Sequence, residues 1–488
     1  MEYYIGIDIG TSSTKAVIID ENRKLHGECE QQYRFSQPYP GWKEIDPKIW
    51  VEATETCILE LLSRVDNQLV KAIGVTGQMH TTVFIDEYGK SIRPAIMWND
   101  TRSKDLVELV KSKLGVDDTK YISKIISTGS PAMNLFWVKE NEVENFNKIR
   151  KFLIGPDYIT YYLTGLFNTD YCEASTSSLY DLENKTWSKT MQNIIGIDDD
   201  VYPSVKGSSE TAGYIKDEIA QKLGLNKDVK IIVGTGDNPA AAVATGCLEY
   251  MYPVLSLGTS GVLVVTKNNL DLKSKGKNIL FSIDGEKIHI LKQGVVQSVG
   301  STLNWLIRDI FETNDFDKYT TIANDEDLGK NELLFYPHLA GDKTLYKDPS
   351  IRGAFIGIGT ETTREDMAIA VMEGICFAVK ELVDAMNLSA DDINNMKVIG
   401  GGTKSKIFIK ILSDVLNTRI ERLNSVESGA SYGVAILAQL ESTNYKDSKK
   451  NNVEILDTFI PRASSVKLYE EKYKKYLKIY KSVKEILK

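Results

Sequence analysis

Asp237 follows the β-branched run Val229-Lys230-Ile231-Ile232-Val233 and the glycines Gly234 and Gly236, and it precedes Asn238, Pro239 and a string of alanines. This order predicts a buried strand that turns sharply into a helix, with the carboxylate at the turn. The two glycines let the backbone adopt conformations a side chain would forbid, so a substrate can come up against the acid. On this stretch alone the commoner reading is a helix cap, because Asp or Asn ahead of proline is a usual way to begin a helix. The rest of the chain changes that weighing.

A second acid, Asp8, lies just ahead of a polar turn made of Gly10, Thr11, Ser12, Ser13 and Thr14, with Lys15 beyond it. Hydroxyls and backbone N–H groups in such a turn can cradle an anion. A carboxylate beside a bound phosphate is repulsive unless a cation lies between them, and Mg²⁺ with its waters is the usual solution. The plain alternative is a hairpin with a Ser/Thr-rich loop. Farther on, the strand-like Val70–Gly77 ends in Gln78, Met79 and His80, and the run Pro94–Met97 ends in Trp98, Asn99, Asp100 and Arg102. Two strand ends thus deliver polar side chains together. His80 is one of only four histidines, although a lone histidine is more often a structural hydrogen-bonding residue than a catalytic one.

The elements that must position these groups fall into two similar sets. Residues 3–20 give strand, polar turn, strand, and the pattern returns at Val254–Val265 around Gly258, Thr259 and Ser260, a weak internal repeat marking a second domain. Met396–Ile399 then runs into Gly400, Gly401 and Gly402, followed by a helix that Ser405 can cap and in which Ile407, Phe408, Ile411, Leu412, Val415 and Leu416 share one face. Three glycines before a helix N-terminus suit a phosphate or nucleotide. Residues 104–200 read as mostly helical and polar, with no separate chemistry. At the C-terminus Val466, Tyr469, Tyr473, Tyr476, Tyr480, Val483 and Leu487 recur at helical spacing, a terminal helix docking on the second domain with its lysines solvated.

At 488 residues the chain exceeds what one core usually serves, and two domains are expected, 1–245 and 246–488. A formal net charge of −8 argues against a general nucleic-acid binder. The five cysteines, Cys29, Cys57, Cys172, Cys247 and Cys376, form neither a CxxC pair nor a disulfide framework, no apolar run is long enough to span a bilayer, and the N-terminus lacks a secretion signal. A cytoplasmic protein with no membrane partner is expected. Neither a complete Walker A pattern, nor GxGxxG, GxSxG or HExxH, is present: Gly89-Lys90-Ser91 has a Walker ending, but Phe84 stands where the first glycine should be. A nucleotide, if bound, sits in another cradle.

Taken together, Asp8–Lys15, Gly77–His80, Trp98–Arg102, Gly236–Pro239, Gly258–Ser260, Tyr336–Gly341 and Gly400–Ser405 resemble, in order, the motifs of the FGGY carbohydrate kinases within the actin, hexokinase and Hsp70 group. The resemblance covers nearly the whole chain, from Ile5 to about Gln439. It implies an α/β protein with two ribonuclease-H-like domains facing a cleft, ATP held mainly by the second and sugar by the first. It implies Asp237 as catalytic base, with Gln78, Met79, His80, Trp98, Asp100 and Asn238 at the sugar. Gly10, Thr11, Ser12, Lys15, Gly258 and Thr259 fall at the phosphates, Gly401, Gly402 and Ser405 at the adenosine, and Asp8 with Asp237 at Mg²⁺, largely through water. The partners implied are a small sugar and ATP, with a homodimer left open. The Gln-Met-His triplet and the Trp-Asn-Asp run point to the ketopentose branch over the gluconate branch. Two departures touch the acceptor: Gly341-Asp342-Lys343-Thr344-Leu345 stands where the family commonly has Gly-Glu-Arg-Thr-Pro, and Met133-Asn134 stands where Pro-Lys is usual. A rival of another class is a nucleotide-switched binding module, which needs the phosphate loops but no strand-end sugar pocket.

Overall fold

The computed structural model describes residues 1–114, 120–246, 252–320, 328–342, 344–424, 429–442 and 454–486. Cys247, Lys343 and Leu487 lie outside the described residues. The chain forms two compact α/β units. The first comprises Met1–Ala244, Ile279–Ile290 and the late helix Gly429–Ser442, and the second takes most of the remainder. The first unit therefore takes in two segments from beyond residue 245.

The first unit is built on a sheet whose strands run in the order Thr211–Tyr214, Lys230–Ile232, Val70–Gly77, Tyr3–Ile9, Ser13–Asp20 and Leu25–Gln32, with Thr235–Gly236 continuing beside Val70–Gly77. Tyr3–Ile9, Val70–Gly77 and the two short strands before Asp237 are mutually parallel, while the first three strands of the chain form an antiparallel meander. Ile5, Ile7, Ile9, Ile73, Val75 and Ile231 are fully buried. Such continuous β-branched runs are what parallel strands covered on both faces require.

The helix Gly429–Ser442 covers one face of this sheet at close range. A Cβ on Gly6 would fall 1.9 Å from the Ser431 carbonyl oxygen, and one on Gly433 would fall 1.8 Å from that of Ala240. Only glycine lets the backbones approach so closely, and the contact fixes the helix Asp237–Ala244 against its neighbour. A second, four-stranded sheet of Glu44–Ile45, Ala95–Ile96, Thr82–Ile85 and Lys151–Ile154 completes the scaffold around the strand ends.

The second unit repeats the plan. Val254–Leu257 pairs antiparallel with Gly261–Lys267 and parallel with Met396–Ile399, which pairs parallel with Ile420–Leu423. The helix Lys406–Leu416 buries Ile407, Phe408, Ile411, Leu412, Val415 and Leu416 as its spacing predicts, and its N-cap Ser405 accepts from the Phe408 amide at 3.2 Å. The C-terminal segment forms two helices, Ala463–Tyr476 and Ile479–Ile486, with Tyr469, Tyr473, Tyr476 and Val483 buried. One of its lysines is not solvated: Lys472, one turn from Tyr469 and Tyr476, points inward and is ion-paired with the buried Glu373. Residues 104–200 are helical in part but also contain the strands Lys151–Ile154, Asn168–Asp170, Tyr180–Asp181 and Thr186–Trp187.

Candidate active site

The strand register brings the chemistry of the first unit to one edge. Ile9 lies beside Gly77, and Gly77 beside Gly236, so Gly10, Gln78 and Asp237 leave three neighbouring parallel strands at the same level. The carboxyl ends of parallel strands are where α/β sheets present ligand-binding groups. Glycines make the crowding possible, since a Cβ on Gly77 would fall 2.5 Å from the Ile9 carbonyl oxygen. Gln78 ties the first two turns together by donating to the Gly10 carbonyl at 3.2 Å.

Asp237 opens its helix, and its Oδ1 accepts from the Asn238 amide at 2.8 Å and from Asn238 Nδ2 at 3.0 Å. Asn238 Nδ2 also reaches Met79 Sδ at 3.8 Å, so Met79, Asp237 and Asn238 form one group. Burial and, next, the nearby charge of Asp8 raise the Asp237 pKa to about 7. Asp8 is likewise raised by burial, to about 6, against the opposing attraction of Lys15, its cross-strand neighbour. A carboxylate poised near neutral pH is suited to taking a proton from an alcohol.

His80 holds φ +70°, a left-handed conformation that costs a non-glycine residue about 1–3 kcal/mol and must be imposed by its surroundings. Its carbonyl accepts from Thr82 Oγ1 at 3.0 Å, and Thr82 Oγ1 in turn accepts from Asn134 Nδ2 at 2.9 Å. Asn134, one of the two departures noted above, is thus fully buried in the support of the His80 turn. Trp98 is exposed, and its Nε1 donates to Thr11 Oγ1 at 3.1 Å, which joins the Trp98 loop to the Gly10–Thr14 turn. Ser12 and Lys15 stand exposed on that hairpin.

Asp100 behaves differently from its neighbours. Its carboxylate is 1% exposed and accepts from the Lys43 amide at 2.6 Å, the Arg102 amide at 2.8 Å and Arg102 Nε at 2.9 Å, with Arg102 also bound to Glu44. The Arg102 guanidinium lies over the Trp42 ring at 4.0 Å. With its oxygens committed to Arg102 and to the Lys43 amide, Asp100 ties the loop after Trp98 and Asn99 to the segment at Lys43.

In the second unit Gly258 and Thr259 form the hairpin turn, and their carbonyls accept from the Gly300 and Val299 amides at 2.9 and 3.0 Å. Gly400, at φ +94°, passes under the Leu257 carbonyl, whose oxygen a Cβ would meet at 2.8 Å. A Cβ on Gly401 would meet nothing within 4 Å, leaving open approach to the backbone, whereas one on Gly402 would press on Leu257. Ser405 is buried and its hydroxyl serves the cap described above.

Three buried carboxylates lie in the region that the sequence marks as without chemistry: Asp157, Asp170 and Glu173. Burial raises all three, Asp170 to about 6 and the other two well above their ordinary values, and the charges of Asp157, Asp170 and then Asp237 add to the effect on Glu173. Their sequence signal is ambiguous, since Asp157 in Gly155-Pro156-Asp157 and Asp170 ahead of Tyr171–Thr176 are both helix-start residues by pattern and by structure.

Among the described residues no three His, Cys, Asp or Glu side chains cluster so as to hold a metal ion by themselves. Asp8 Oδ1, however, is buried without a hydrogen-bond partner among the described residues. An orphaned acceptor beside a second carboxylate fits a hard cation that takes its other ligands from water and phosphate oxygens.

The model of the N-terminal domain of the FGGY family of carbohydrate kinases matches residues 3–244, and that of the C-terminal domain matches 254–441. A xylulose kinase of Staphylococcus xylosus is 31% identical over 486 residues, covering 98% of this chain and 100% of that protein. The fold matches a crystal structure described as a xyloylose kinase from Brucella ovis with a TM-score of 0.89 at 28% identity, covering 99% of this chain and 100% of the other. It also matches a gluconate kinase from Lactobacillus acidophilus with a TM-score of 0.86 at 24% identity, over 99% and 98% of the two chains, a likeness of fold alone.

Proposed function

This chain belongs to the FGGY family of carbohydrate kinases, and we propose that it transfers the γ-phosphoryl group of ATP to the C5 hydroxyl of D-xylulose. The observation that carries the reading is the placement of Asp237 at a strand end beside Met79 and Asn238, with its pKa at about 7. Supporting it, a relative named xylulose kinase matches along the full length of the chain.

In phosphoryl transfer the protein mainly aligns donor and acceptor, while one carboxylate takes the hydroxyl proton. Asp237 is that base. Met79, His80 and Asn238 contact the sugar, and a polar site of this kind rejects analogues lacking a hydroxyl far better than an apolar pocket does. The Gly10–Lys15 turn and the Gly258–Thr259 turn hold phosphates, and open Gly401 admits the nucleoside. Asp8 and Asp237 would hold Mg²⁺, which when bound offsets charge on the phosphates. No described helix is long and apolar enough to cross a membrane, and Cys29, Cys57, Cys172 and Cys376 are unpaired thiols, which fits the reducing cytoplasm.

The test is a coupled ADP-release assay over a panel of D-xylulose, other pentuloses, gluconate and glycerol. D-xylulose is expected to give the highest kcat/KM, and Asp237→Ala to abolish sugar-dependent turnover while nucleotide binding persists. A better substrate elsewhere in the panel refutes the sugar, and near-normal turnover by Asp237→Ala refutes the base.

A further inference from the structure

Glu173 is 1% exposed and belongs to none of the motifs that led to the site. It sits on the short helix Tyr171–Thr176, whose N-cap Asp170 accepts from the Glu173 amide at 2.8 Å. That corner of the chain is laid against the turn before Asp237. The Thr235 hydroxyl favours the charged form of Asp170, and the Gly236 amide does the same for Cys172. Glu173 reaches farthest: its Oε1 stands 2.9 Å from where a Cβ on Gly236 would lie, next to Met79 Cγ at 2.6 Å and Met79 Sδ at 2.9 Å from the same point. The backbone amide of His80 favours the charged form of the same carboxylate. Neither oxygen has a hydrogen-bond partner among the described residues. One buried side chain therefore spans the two turns that carry Met79–His80 and Asp237–Asn238. A residue in a left-handed conformation such as His80 persists only where its surroundings over-determine it.

We propose that Glu173 is a positioning residue for the acceptor side of the site, setting the spacing of the His80 and Asp237 turns by filling the space beside Gly236. This rests on the reading that those turns contact the sugar. Glu173 does not touch the reacting atoms. What the site needs from it is its length and a polar end lodged beside Gly236 and Met79, both of which glutamine supplies and alanine does not.

The experiment compares Glu173→Ala, Glu173→Asp and Glu173→Gln with the wild type by steady-state kinetics, using whichever panel sugar the wild type turns over best. A wild type that prefers another sugar overturns the xylulose reading, and the variants are then judged on that sugar. Glu173→Ala is expected to raise the sugar KM at least tenfold with the ATP KM within twofold, Glu173→Asp to fall between, and Glu173→Gln to stay within threefold of wild type. Loss of folded protein in Glu173→Ala leaves the other two variants to decide. Unchanged sugar KM in Glu173→Asp, equal rises in both KM values, or Glu173→Gln as impaired as Glu173→Asp would each overturn the proposal.

Discussion

The pH dependence of turnover follows from the pair of acids at the strand ends. Burial and the charge of Asp8 lift Asp237 from 3.8 to about 7, which at about 1.36 kcal/mol per pH unit is roughly 4 kcal/mol against the charged form. The base must be ionised to accept a proton, so kcat/KM rises with pH through that value. At pH 6 only about a tenth of the molecules carry the active form, and each further unit downward costs about tenfold. Asp8, at about 6, ionises before Asp237, and its negative charge is one of the two forces holding Asp237 up. Replacing it by Asp8→Asn removes that force, and the acid limb moves to lower pH even as the absolute rate falls through loss of a cation-holding carboxylate. The assay is coupled ADP release from pH 5 to 9 for both proteins, with Mg·ATP and sugar both limiting so that the profile reports the acids of the free, metal-free enzyme. A wild-type profile flat down to pH 5 refutes the electrostatic argument, as does an acid limb that stays in place or moves up in Asp8→Asn.

His80→Ala is expected to raise the sugar KM by tenfold or more while leaving the ATP KM near wild type; steady-state kinetics with each substrate varied checks this, and equal effects count against a sugar contact. Gly433→Ala places a methyl group 1.8 Å from the Ala240 carbonyl oxygen, and must push two helices apart at a cost of about 1–3 kcal/mol or more. A lower melting temperature together with reduced kcat is the expected result, because the displaced helix begins at Asp237. Arg102→Ala strips the buried Asp100 of its cation, and is expected to destabilise the fold by about 3–5 kcal/mol, measured by denaturant unfolding.

Much of this arrangement is legible in the sequence because local chemistry and tertiary demand coincide. The run from Val229 to Ala244 must be strand, glycine turn and helix on propensity alone, and it is. The hairpin at residues 3–20 and the cap at Ser405 are read the same way. Asp100 is less legible, since its place in a polar run says nothing of Arg102 folding back over Trp42 to claim it. Glu173 is opaque for a related reason: a glutamate on a short helix is ordinarily solvated, and only long-range packing beside Gly236 buries it. Lys472 shows the same blindness in the second unit, where a lysine in a helix of alternating charge turns inward to a distant glutamate.

The helix Gly429–Ser442 carries a consequence for how the molecule comes into being. Because it closes the sheet built by the first strands of the chain, the earliest segment made cannot reach its native state until some 440 residues have emerged. Until then an apolar sheet face around Gly6 and Gly74 waits uncovered, the sort of surface that invites chaperones or self-association during synthesis. A fragment ending at 245 would keep Asp8, His80 and Asp237 yet lack the helix Gly429–Ser442, so the unit that carries them needs a segment from far along the chain.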